Sequence, residues 1–270
     1  MPELTTEFTL FCFGIVIGAI GAMFGLGGGF LIVPLLSVWG ISVVEAAATS
    51  LVGVFLTSVS GTVRNWWQGD VDGRSCFQLA LFGIPTAQLG AWLGDRLPDR
   101  ILSIGFALFL FVSLFLLHWR QQKLAGVELP EAIATDREGE ISDSWGDRLG
   151  QFAQIGAIAG ILAGLFGVGG GIVIVPLLLL LTRATLRSAA AISLGAIVPI
   201  SASALTLHAF NGNILWLPGV CLGLGGIFGA QFGIALMPYL PAKLLDRTFQ
   251  FLLLALALYM SRPVFLEFRF

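Results

Sequence analysis

Charge is scarce along this chain, and its placement is uneven. Only 11% of the 270 residues are Asp, Glu, Lys or Arg, against roughly 25% in soluble globular domains. Residues 8–44, 149–182 and 188–242 contain none of the four. So few charges cannot cover a water-soluble surface of this size, which excludes that class. A helix of about 20 residues crosses a bilayer core of about 30 Å. Each charge-free stretch therefore holds more than one crossing, or a crossing plus a re-entrant piece. Shorter uncharged windows lie at 46–63, 75–94, 101–117 and 248–261. The period-2 polar alternation of a transmembrane barrel is missing too, so helices are the expected spanning elements.

Other absences narrow the chemistry. No Asp or Glu lies inside an apolar window, so the carboxylate relay expected of a proton or sodium site is not visible. Neither a Ser/His/Asp set, an HExxH run nor an Asp-rich metal motif falls at membrane depth, which argues against an intramembrane enzyme, and no cofactor is expected. The three cysteines, Cys12, Cys76 and Cys221, lie in or beside apolar windows. They read as packing residues and not as a disulfide framework or a zinc site. A net charge of −2 gives no sign of nucleic-acid binding. Met1 to Glu7 carry no Lys or Arg, and the long apolar run behind them reads as a retained first helix, not a cleaved signal.

What the chain does contain is a duplication. GLGGGFLIVPLL begins at Gly25 and GVGGGIVIVPLL at Gly167, with nine identities in twelve positions at an offset of 142. Gly14 and Gly18 match Gly156 and Gly160 at that offset. One residue later the offset becomes 143, pairing Ser50 with Ser193, Ser58 with Ser201, Ser60 with Ser203, Gln88 with Gln231 and Pro98 with Pro241. Composition bias can align leucines, but not polar residues and prolines in constant register. Residues 1–119 are thus expected to form a first transmembrane repeat and 149–270 a second. A polar linker, 120–148, joins them with Arg120, Lys123, Arg137 and Arg148 among seven acidic residues. The fold class is all-α and polytopic, with two homologous repeats of four to five helices and Gly-broken first helices.

Orientation depends on whether the broken first segment crosses once or doubles back. A single crossing makes the halves parallel and divides Lys plus Arg six against eight. A hairpin makes them inverted and divides the basic residues four (Arg96, Arg100, Arg262, Arg269) against ten. Residues 38–44 carry no basic residue while 183–187 carry two. Such a swap between matched loops is what opposite membrane faces produce under the positive-inside rule. The inverted reading is favoured, with the linker in the cytoplasm.

The glycine runs carry the functional signal. Gly27, Gly28 and Gly29 match Gly169, Gly170 and Gly171, and Pro34 and Pro176 follow in register. Each Gly costs a helix about 1 kcal/mol relative to Ala, and Pro removes a backbone donor. Irregular backbone at membrane depth survives only where it is buried in protein or lines a cavity. A break exposes N–H groups at a half-helix N-terminus, which suits an anion, and paired breaks point to a transporter's central site. Close packing is the competing reading, and it is the favoured one for Gly14 and Gly18. A nucleotide-binding reading of the run is weak, since no charged partner follows it.

Polar side chains add to this site. Ser50, Gly53, Thr57, Ser60 and Arg64 share one face of the second helix, matched in part by Ser193 and Ser203; such a stripe glues helices or lines a path. Gln88 and Gln231 are mid-helix amides kept in both halves and are expected to line the site. His208 aligns with Asn65 and is expected to cap a polar turn, while Trp66, Trp67 and Trp216 read as interfacial belt residues. Backbone N–H groups, hydroxyls and amides together suit an oxyanion.

On the paired G-x-G-G-G-x-x-x-x-P-x-L elements at Gly25–Leu36 and Gly167–Leu178, with Ala46-Ala47-Ala48-Thr49-Ser50 behind the first, the chain resembles the sulfite exporter TauE/SafE family. The resemblance covers all but the linker. It implies a plasma-membrane permease for sulfite, organosulfonates or related carboxylates. Only Ser193 of the matching second segment carries over. The expected partners are a small anionic substrate and the lipid bilayer, with a homodimer allowed. A passive anion channel and a non-transporting membrane scaffold are the rival readings.

Overall fold

The computed structural model describes residues 2–125, 145–181 and 185–239, together with 251, 254, 255 and 258. The described residues form helices and their connections: α1 (Pro2–Met23), α2 (Gly29–Val38), α3 (Val43–Gln68), α4 (Gly73–Arg96), α5 (Asp99–Ala125), α6 (Trp145–Phe166), α7 (Gly171–Leu181), α8 (Leu186–Phe210) and α9 (Trp216–Leu236), then a 3-10 turn at Met237–Tyr239. Helices α5 and α6 run into the ends of the 120–148 linker, and the apolar window 248–261 falls mostly outside the described residues. Six helices among them are long and apolar enough to cross a membrane. The chain is an all-helical, multi-pass membrane protein.

Local chemistry sets the helix ends. Ser42 caps α3 by accepting from the Glu45 N–H at 3.3 Å and donating to its carboxylate at 2.8 Å, a reciprocal capping arrangement. Gly69 stops the helix in a left-handed conformation. Asp72 and Thr185 cap α4 and α8 through side-chain oxygens that accept from Arg74 and Ser188.

Helices that are apolar all round gain nothing by hiding from lipid, so close packing of small residues decides which ones pair. Helix α1 lies on α9, and α6 lies on α4. A Cβ on Gly18 would stand 2.5 Å from the Gly226 Cα, and Gly14 is pressed on the Leu222 carbonyl. At the matched positions Gly156 meets Leu79 and Gly160 meets Gly83. The first helix of each half thus packs on the fourth helix of the other half. The sequence halves exchange helices and are not separate bodies.

These contacts also give helix directions. Position numbers rise together along α1 and α9 (Gly14 at Leu222, Gly18 at Gly226) and along α3 and α9 (Gly219 at Val52, Gly223 at Leu56). They rise together again along α4 and α6 and along α4 and α8 (Cys76 at Ile192, Gln88 at Ser203). Along α3 and α8 they run opposite, since Asp70 meets Arg187 and Gly61 meets Leu194. One bundle, α1, α3 and α9, therefore points one way, and a second, α4, α6 and α8, points the other.

Because α1 and α3 run in the same sense, the chain between them must return. Helix α2 makes that return. Its ten residues span about 15 Å at 1.5 Å per residue, half a bilayer core. Gly28 lies back beside Ile17, at 3.0 Å for an added Cβ. The eleven residues of α7 do the same behind α6, with Gly170 beside Ala159. Apolar side chains such as Phe8, Phe77 and Phe232 point outward, while Phe106, Phe109 and Phe166 form an interior aromatic group with centroids 5.6–6.4 Å apart.

Candidate functional site

The two glycine breaks meet at the contact between the bundles. Gly27 and Gly169 both lie against Val54 of α3 and Ile197 of α8, themselves a matched pair. Gly29 abuts the Gly167 carbonyl, and a Cβ on Gly171 would stand 2.5 Å from the Gly25 oxygen. Gly28 has φ 88° and Gly170 φ 80°, a left-handed backbone in which glycine alone is at ease. That conformation lets each chain reverse from a long helix into a half-helix within five residues. All six glycines of the two triplets are buried.

Two serines clasp the breaks. Ser50 Oγ lies 2.7 Å from the Gly167 carbonyl and 2.7 Å from that of Ala47, while Ser193 Oγ donates to the Gly25 carbonyl at 2.7 Å. Both serines are fully buried. The structure therefore brings Ser50 and Ser193 to the breaks, with their hydroxyls engaged on carbonyl oxygens. This changes the local electrostatics, because a carbonyl end that would repel an anion is covered by a hydroxyl proton.

Each half-helix begins at its break, and the first N–H groups of a helix have no partner within it. The bonds at the first break run from Phe24, Gly25 and Leu26 back to α1 and from Leu31 and Ile32 to the Gly28 carbonyl. Among the described residues none is made by the N–H groups of Gly27, Gly28 or Gly29. At the second break Gly167 bonds back to Ala163, and Val173 and Ile174 bond to Gly170.

Gln88 and Gln231 lie elsewhere. Gln88 Nε2 donates to the Ser203 carbonyl at 2.7 Å and to Thr206 Oγ1 at 3.0 Å; Gln231 Nε2 donates to the Ser60 carbonyl at 3.0 Å and to its Oγ at 2.9 Å. Ser60 and Ser203 return bonds of 2.9 Å to the Ile227 and Ile84 carbonyls. These matched networks clamp α4 to α8 and α9 to α3. Ser203 is six residues beyond Ile197, about 9 Å along the helix axis, so the glutamines are not gathered with the breaks. His208 does not cap its turn: it is 1% exposed and its Nε2 donates to the Gly164 carbonyl at 3.1 Å, tying α8 to α6.

One residue at the break was not singled out from sequence. Ser58 is fully buried, its Oγ has no hydrogen-bond partner, and it lies 2.7 Å from where a Cβ on Gly27 would be. Its match with Ser201 was the available signal. Thr62 Oγ1 and Arg64 Nε, further along α3, are also buried without a partner. No group of three or more His, Cys, Asp or Glu among the described residues is placed to hold a metal.

Half-helices that start from paired breaks inside a polytopic bundle define a class of membrane transporter. Comparison with known proteins gives the family. The chain belongs to the sulfite exporter TauE/SafE family, whose model matches residues 10–260. It is 29% identical over 237 residues to the probable membrane transporter protein YunE of Bacillus subtilis, covering 83% of this chain and 85% of that one. A probable membrane transporter protein of Xylella fastidiosa is 29% identical over 250 residues, 90% of this chain and 91% of the relative. The Arabidopsis thaliana sulfite exporter TauE/SafE family protein 3 is 28% identical over 130 residues, 47% of this chain and 26% of that one. No solved structure matches the chain. Membership makes it a membrane transporter of the TauE/SafE type and not an enzyme.

Proposed function

We propose that the protein carries a small anion, sulfite, an organosulfonate or a related sulfur-containing or carboxylate anion, across the cytoplasmic membrane. The observation that carries this reading is the start of α2, where the N–H groups of Gly27, Gly28 and Gly29 make no backbone hydrogen bond among the described residues at the positive end of a helix dipole. The site offers dipoles and hydroxyls, so affinity is modest and release is easy. The bundle α1–α3–α9 rocks against α4–α6–α8 about the α3–α8 contact, opening the breaks first to one face and then to the other. The serine clasps keep the breaks together while the bundles move.

The halves enter the membrane with opposite orientation in this account. The antiparallel run of α3 and α8 supports it, as does the ten-against-four division of basic residues between faces. Trp67 and Phe210 are matched across the repeat, 76% and 88% exposed, at the ends of α3 and α8. In a background without native cysteines, Trp67→Cys and Phe210→Cys should be labelled by impermeant maleimide from opposite faces. Labelling from one face would reject the inversion. For transport itself, sulfite flux into liposomes holding the purified protein should saturate with concentration. Flux that stays linear identifies a channel, and absence of flux for every oxyanion tried identifies a scaffold.

A further inference from the structure

The two breaks share their backbone but not their hydroxyl. At the first, Ser58 Oγ is turned to Gly27 and has no partner. At the second, the matched Ser201 has turned back along its own helix, its Oγ donating to the Val198 carbonyl at 3.1 Å. Val54 and Ile197 stand against Gly169 as they do against Gly27, but where Gly27 meets the Ser58 hydroxyl, Gly169 has the Leu26 carbonyl oxygen at 3.8 Å from an added Cβ. Among the described residues the N–H groups of both glycine triplets lack a backbone partner, so what separates the breaks is the hydroxyl, unpartnered beside Gly27 at the first and engaged on its own helix at the second.

A buried hydroxyl without a partner carries an uncompensated desolvation cost, and native structures hold few such groups. Ser201 shows that a serine at this position can satisfy itself on the preceding turn. Ser58 instead points at the start of a helix, which is where a bound oxyanion would need a side-chain donor.

We infer that each chain holds one oxyanion site, formed by the Gly27–Gly29 N–H groups and the Ser58 hydroxyl, and that it selects a singly charged oxyanion. This rests on the transport reading above and narrows it. Selection by charge follows from the chemistry on hand. The nearest basic residue along α3, Arg64, is six positions beyond Ser58, about 9 Å along the axis. A site of dipoles attracts a dianion roughly twice as strongly as a monoanion, whereas the desolvation cost of an ion rises roughly fourfold with doubled charge. Hydrogen sulfite or an alkanesulfonate is therefore held, and sulfate is rejected.

The test uses the purified full-length protein in detergent, with sulfite, methanesulfonate and sulfate as probes. Calorimetry of the wild type should return one sulfite per chain, methanesulfonate binding of the same order, and no sulfate binding. Ser58→Ala should melt at or above the wild-type temperature without ligand, because it removes an unpartnered polar group. Its sulfite affinity should fall at least tenfold, and Ser58→Cys, which keeps the size with a poor donor, should fall likewise. Ser201→Ala should bind as the wild type does. Wild-type affinity in both Ser58 variants, equal losses at Ser58 and Ser201, two sulfites per chain, or sulfate bound as well as sulfite would each overturn the inference while leaving anion transport standing. A wild type that binds none of the three probes would overturn the transport reading along with it.

Discussion

The first and second glycine breaks repeat nine of twelve residues, and their backbones answer each other: Gly29 on the Gly167 carbonyl, Gly171 on that of Gly25, Ser50 and Ser193 exchanging clasps of the same length. Their surroundings differ. Ser58 faces the first break unpartnered, while Ser201 is bonded to its own helix. The comparison separates two tasks that duplication tends to merge. Paired, reciprocal features hold the bundles together, and the unpaired feature is where a ligand would act. Symmetric substitutions should accordingly cost stability in both halves alike, whereas ligand effects should appear in one half only.

The largest expected effect lies at Gly25 and Gly167, where the comparison should show no difference. A Cβ on Gly25 would stand 2.5 Å from the Ala190 Cα, and one on Gly167 would stand 2.6 Å from the Ala47 Cα, both on left-handed backbone. These are backbone obstacles that cannot move aside. Gly25→Ala and Gly167→Ala should each abolish the monodisperse peak on size-exclusion chromatography of membrane extracts. Survival of one and not the other would break the symmetry of the scaffold.

An intermediate effect is expected at Gly28 and Gly170, and here the halves should part. Both sit at positive φ, so alanine costs about 1–2 kcal/mol at either site. Gly170→Ala also meets the Ala159 carbonyl oxygen at 2.7 Å, while Gly28→Ala meets the Ile17 methyl at 3.0 Å and the Ile17 carbonyl oxygen at an ordinary 3.4 Å. Gly170→Ala should therefore lower the melting temperature further. Gly28→Ala, the milder change for folding, should be the one that removes the thermal shift produced by sulfite, because its methyl obstructs the N–H groups. Loss of that shift in Gly170→Ala alone would move the site to the second break.

The smallest effect concerns the glutamines. Gln88→Ala and Gln231→Ala each release a helix-to-helix clamp, worth about 0.5–1.5 kcal/mol. Melting temperatures should fall slightly and equally, with sulfite affinity unchanged. A loss of affinity would return the amides to the site where the polar pattern first put them.

Much of this was legible in the sequence because it follows from composition and register. Charge-free runs revealed the membrane helices, and matched glycines revealed the breaks. Ser50 and Ser193 were visible as the first of the matched hydroxyls behind the two breaks. Partner choice was not legible. Gln88 and Gln231 were expected at the site because a buried amide needs a partner in lipid. That need is met instead by Ser203 and Ser60 on neighbouring helices. Helix periodicity gives a face but not its neighbour when every helix is apolar, so the exchange of α1 and α6 between halves left no trace in hydropathy. His208 misled for a related reason, since its turn is polar but its ring reaches back to Gly164 on α6. The orientation of the Ser58 hydroxyl is a rotamer choice, and Ser201 makes the opposite one from the same place in the repeat.

Selenite, the heavier analogue of sulfite, offers the most direct test of where the anion sits. Crystals of the full-length protein grown with selenite should give one anomalous selenium peak per chain, with its oxygens about 2.7–3.2 Å from the Gly27, Gly28 and Gly29 nitrogens and from Ser58 Oγ. Peaks of equal height at both breaks, or a peak only beside the Gly169–Gly171 nitrogens, would contradict the account.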